Sequence, residues 1–160
     1  MADLHRLNAA EGWLGLGDWQ SADGELEEIT PEMRANQDVL EMRWQVNAAD
    51  KRWEACVQIA TTITELAPDR PSGWIHRSFA LHEIKRTQEA LDNLLSVVAR
   101  FPKDPTMHYN LACYECQLGR LPEAKRWLAA AFELGDPKRT KLMALDDEDL
   151  RPLWDQIDAV

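Results

Sequence analysis

Two cysteines three residues apart, in the run Cys113-Tyr114-Glu115-Cys116, are the residues whose types and spacing come nearest to chemistry. On a helix that spacing puts both thiols on one face, and with His82 they would suit a metal ion or a redox exchange. Structural zinc sites commonly bring a second closely spaced ligand pair, and redox thiols sit at a helix start where the dipole lowers their pKa. Neither feature is present, so the competing reading is a pair of small apolar side chains lining a helix face. Cys56 completes a count of three. An odd number makes no extracellular disulfide framework, which predicts free thiols in a reducing, cytoplasmic setting. No Gly-x-Ser-x-Gly, His-Glu-x-x-His or phosphate-binding loop occurs, and the carboxylates are scattered rather than paired as acid and base. The chain therefore reads as non-enzymatic, with no cofactor.

The elements that must position these residues follow from an internal period. Sliding the 160-residue chain against itself by 34 residues aligns four copies that begin at Asp3, Gln37, Pro71 and Pro105. Place 20 of the copies holds Ala22, Cys56, Ala90 and Ala124; place 24 holds Leu26, Ala60, Leu94 and Leu128; place 27 holds Ile29, Ile63, Val97 and Ala131. Steps of four and three are one helical face, so each copy carries a second helix with a buried stripe. The first helix of each copy stops near place 15, where Gly17 and Gly119 supply a C-cap, and Pro68 and Pro102 end the second helix in the middle copies. Asp104-Pro105 and Asp136-Pro137 read as N-cap signals. Pro31 shortens the second helix of copy one. No stretch alternates with period two for long enough to argue a sheet.

A 34-residue helix-turn-helix unit with a small residue at place 20 and proline at place 32 resembles the tetratricopeptide repeat (TPR) family. The resemblance covers residues 3–136, as copies 3–36, 37–70, 71–104 and 105–136, and is best in the fourth, with Asn110-Leu111-Ala112, Leu118-Gly119, Ala124, Leu128 and Ala131. Arg43 and Arg77 depart from it at place 7, usually leucine, and must pair with a carboxylate or extend to the edge. The family implies an all-α, right-handed α-solenoid of antiparallel helix pairs that binds a partner in a concave groove. Residues 137–160 read as a helical cap, with Leu142, Met143 and Leu145 on one short helix. A turn and a second short helix from near Arg151 then carry Leu150, Leu153, Trp154 and Ile157.

The family's groove places, carried over, give an apolar and aromatic half at Ile75, Phe79, Tyr109 and Cys113, an acidic middle at Asp38 and Glu41 with Glu83 nearby, and His82 and Gln45 as further groove residues. Such a groove would suit a partner peptide or helix with apolar and basic residues. The family's clamp for a terminal carboxylate is absent, since its places hold Leu7, Glu11, Met42, Ser72 and His76. A basic edge at Arg52, Arg86 and Arg120 could dock an acidic surface or simply be a solvated turn. Net charge is −10 overall, with −8 over residues 1–42, +2 over 43–126 and −4 over 127–160, so the acidic ends argue against nucleic acid and anionic membranes. No apolar run is long enough for a membrane span, and residues 1–10 have no signal-peptide pattern. The expectation is a protein-interaction module, an adaptor or chaperone-like scaffold. The alternatives are a metal- or redox-responsive protein using Cys113 and Cys116, and a self-assembling scaffold joined through Leu4, Leu7 and Trp13 or through Trp154, as monomer or homodimer.

Overall fold

A computed structural model describes residues 1–160 as nine α-helices and three 3-10 segments, with no strand. The helices are α1 (Ala2–Gly15), α2 (Trp19–Glu27), α3 (Gln37–Ala49), α4 (Trp53–Leu66), α5 (Pro71–Glu83), α6 (Thr87–Leu95), α7 (Pro105–Gln117), α8 (Leu121–Leu134) and α9 (Pro137–Asp146). The 34-residue period is kept to the residue. All four first helices end at place 13 and all four second helices begin at place 17.

The turns between them share one hydrogen-bond pattern. The amide of place 15 donates to the carbonyl of place 12 (Gly17 to Leu14, Lys51 to Ala48, Lys85 to His82, Gly119 to Cys116). The next amide reaches back to place 11 (Asp18 to Trp13, Arg52 to Asn47, Arg86 to Leu81, Arg120 to Glu115). These are the paired bonds of a Schellman cap, which needs a left-handed residue at the first of the two places. That residue is Gly17 at φ 81° and Gly119 at φ 78°, but Lys51 at φ 56° and Lys85 at φ 66° in the middle copies. The predicted stripes are buried: Ala22, Cys56, Ala90 and Ala124, with Leu26, Ala60, Leu94 and Leu128, lose all solvent contact, and Ile29, Ile63, Val97 and Ala131 nearly all.

The chain forms two compact units, residues 1–80 and 81–160. In the first, Ala10, Ala22, Leu26, Ile29, Val39, Met42 and Val46 form one apolar cluster, and Trp44, Cys56, Ala60 and Ala80 a second. Arg43 resolves as the sequence requires, donating to Glu27 Oε1 and to the Leu26 carbonyl, both at 3.0 Å. Gly73 permits a close approach to α4, because a Cβ there would stand 2.8 Å from Ile63 Cγ2 and 3.0 Å from the Thr64 amide nitrogen. Helix α2 stops at Glu27 and Pro31 opens a separate 3-10 turn, as its proline predicts.

In the second unit α7 packs against α6 and α8, α9 packs on α8, and the chain returns along α7 as a 3-10 segment over Glu148–Ala159. Asp104 and Asp136 cap α7 and α9, accepting from the amides of Met107 and of Lys138 and Arg139. Two expectations are corrected here. Helix α6 ends at Leu95, well before Pro102, where Ser96 Oγ donates back to the Asn93 carbonyl and β-branched Val97 and Val98 follow. The last segment starts at Glu148 rather than near Arg151, where the Asp147 side chain accepts from the Asp149 amide, and it carries Pro152 inside its 3-10 turns.

Candidate interaction groove

In the first unit, α3 and α5 bring Glu41, Ser72 and His76 together. Ser72 and His76 lie one helical turn apart on α5, and both reach the same carboxylate. Ser72 Oγ donates to Oε1 at 2.6 Å, and His76 Nε2 lies 2.7 Å from Oε2, a bond in which the ring donates. Burial pushes the Glu41 carboxyl up, but the hydrogen bonds from His76 and Ser72 outweigh it and hold the group below the ordinary glutamate range. It is an anion at neutral pH. Because the carboxylate stands between serine and histidine, the imidazole is not placed to take the Ser72 proton, so the trio does not form a nucleophile and base.

The His76 ring stacks on the Trp44 indole, centroids 4.0 Å apart at 16°. Phe79 then leans on two indoles, edge-on to Trp44 at 6.2 Å and tilted over Trp53 at 5.7 Å. Trp44 is buried, whereas Phe79 is 40% exposed. Asp38 and Gln45 lie exposed along α3, and Ile75 is half-buried on α5. Thus Asp38, Glu41, Gln45, Ile75 and Phe79 belong to this unit and present an anion beside an aromatic anchor.

Of the expected apolar half, Tyr109, Cys113 and His82 lie in the second unit, where the face is closed. Tyr109 and Cys113 are only 7% and 4% exposed, because the chain's own tail covers them. Tyr109 Oη donates to Asp147 Oδ2 at 2.9 Å, and Cys113 Sγ lies 3.7 Å from the same oxygen. Gln117 Nε2 donates to the Asp149 carbonyl at 2.8 Å. His82 Nε2 sits 2.9 Å from Asp149 Oδ2, with Nδ1 against Thr87 Oγ1 and the ring tilted over Tyr114. Leu150, Leu153 and Ile157 are fully buried, and Trp154 Nε1 donates to the Ala144 carbonyl. Helix α9 has the opposite polarity to that expected: Ala144 faces inward while Leu142, Met143 and Leu145 are exposed. With the tail's leucines on α7, the cap has no need of them.

Cys113, Cys116 and His82 all lie in the second unit. No three His, Cys, Asp or Glu side chains converge to hold an ion. Burial pushes the Cys116 thiol up to about 11 and holds the Cys113 thiol well above the ordinary cysteine range, which disfavours the thiolate at both. The basic edge is paired rather than free: Arg52 contacts Asp23 and Asp50, Arg86 clamps Glu89, and Arg120 contacts Glu115 and Gln88. Leu4 and Trp13 are exposed on α1, while Leu7 packs against the first cluster. Trp44 was not singled out by sequence; the signal was a tryptophan at a place that holds Ala10, Ser78 and Ala112 in the other copies.

No protein-family model matches the chain, and no curated protein matches it. Solved structures do. MamA RS-1, an ArsTM double mutant, superposes with a TM-score of 0.73 at 12% identity, over 85% of this chain and 76% of that one. A MamA MSR-1 structure gives 0.68 at 19% identity, over 83% and 76%. A MamA AMB-1 structure gives 0.66 at 20%, over 81% and 76%. The chain therefore has an all-α, TPR-like solenoid fold. No helix is long and apolar enough to cross a membrane.

Proposed function

We propose that this chain is a non-enzymatic interaction module, with residues 3–136 as the repeat array and residues 137–160 closing its end. Its open binding surface is formed by α3 and α5, and it takes a partner segment that combines an apolar anchor with a basic residue. The observation that carries this reading is the exposed Phe79 on its bed of Trp44 and Trp53, in the same unit as the anionic Glu41. Exposed aromatic side chains on a rigid bed are what binding hot spots are made of, and a fixed carboxylate selects cations over anions. Asp38 and Gln45 extend the polar side of the same helix, and Ile75 the apolar side.

A set of peptides about 15 residues long, each with one apolar anchor and either Lys and Arg or Asp and Glu beside it, tests the reading. The full chain should prefer the basic peptides at least about tenfold, and Phe79→Ala should weaken them on the order of 30-fold with helicity unchanged, the loss of about 2 kcal/mol typical of a hot spot. Equal binding of basic and acidic peptides, or binding indifferent to Phe79→Ala, would contradict it.

A further inference from the structure

The end of a stacked repeat array needs one extra helix to cover its last apolar face. Helix α9 already packs on α8. The chain nonetheless continues: Asp147 starts a new segment by accepting from the Asp149 amide, and residues 148–159 run along α7. Toward α9 the tail donates, from Trp154 Nε1 to the Ala144 carbonyl, but its polar contacts with α7 and His82 have the other sense. Tyr109, Cys113, Gln117 and His82 all present donors, and the tail answers with Asp147 and Asp149. The tail's single cation, Arg151, stays within the tail, pairing with Glu148 and lying over the Trp154 ring. Leu150, Leu153 and Ile157 supply the apolar half.

We propose that this face of α7 is an interaction surface for an acidic, leucine-bearing segment of a partner protein, and that residues 147–159 are a built-in occupant which such a segment displaces. The chemistry of the occupant defines that of the partner: two carboxylates followed by leucines three residues apart. A 3-10 segment makes poorer internal hydrogen bonds than an α-helix, so the tail owes its order to the face beneath it and opens as a local unit. Tethering raises the tail's effective concentration to about the millimolar range, so an outside segment binds only when it outcompetes the tail or when the tail is loosened. This surface prefers the opposite charge from the one at Glu41, and it stands whether or not that site binds anything.

The test uses the full chain and a fluorescent peptide of residues 146–160. In Asp147→Asn/Asp149→Asn the internal tail should lose hydrogen-exchange protection over 148–159, and the peptide should bind at least about tenfold tighter than it binds wild type. Peptide carrying the same two substitutions should lose that binding. Glu148→Gln, which removes a tail carboxylate that does not touch the face, should behave as wild type. If circular dichroism shows the double variant unfolded, Asp149→Asn alone takes its place. The proposal is overturned if the tail stays protected in the variant, or if the peptide binds variant and wild type equally or binds neither.

Discussion

The Glu41 carboxylate gains its local role from two neighbours one helical turn apart, and that makes it testable by acid. A carboxyl whose folded pKa lies below its unfolded one contributes stability that is complete above the ordinary glutamate value of 4.5 and is lost as pH falls through the lowered folded value. The urea midpoint of wild type should therefore drop more steeply below about pH 4.5 than that of Glu41→Gln, with the two curves parallel near neutrality. Parallel curves throughout would contradict the network. At this scale the sequence was legible where a group has few ways of being satisfied. Arg43, at an inward place, had to find a carboxylate and found Glu27. The cysteine pair was legible only as a choice, because i and i+3 thiols look alike on a solvated face and beneath a tail. Their burial is set by residues more than thirty positions away.

Among the elements, the turns show how a repeat tolerates its own exceptions. All four need a left-handed residue, yet Lys51 and Lys85 stand where glycine would sit without strain. A non-glycine residue there costs roughly 1–2 kcal/mol, partly offset by the entropy glycine loses on folding. Lys51→Gly and Lys85→Gly should each stabilise the chain by about 0.5–1 kcal/mol, read as a Tm raised by about 1–4 °C in thermal melts; a lower Tm would show that the lysines make compensating contacts. Glycine at Gly17 and Gly119 announced the turn position, and the period carried it to the two copies whose residues hide it. The early end of α6 was not legible, since Ser96 and its back-bond compete with helix only weakly and Pro102 promised a later stop. The tail misled in the same way. Its spacing of three and four fits α-helix and a run of 3-10 turns alike, and the choice belongs to the surface it lies on.

For the whole molecule, the period was enough to give the fold, because small residues at place 20 and the stripe at places 24 and 27 recur whatever each copy does locally. The state of the groove was not, because a repeat pattern says which faces line it and nothing about where the chain goes after the last copy. The acidic run Asp146-Asp147-Glu148-Asp149 and the stripe Leu150, Leu153 and Ile157 were the available signal, being more apolar surface than α9 and one end cap require. In one unit Phe79 is exposed beside Trp44 and Trp53, and in the other the chain's own tail covers α7. Thiol labelling of the native chain, followed by mass spectrometry, tests the closed face most directly. Cys113 and Cys116 should label at least about a hundredfold more slowly than in urea-unfolded chain, in keeping with buried thiols reached only by local opening. Labelling of both at the unfolded-chain rate would show the tail to be off α7 and would contradict the account.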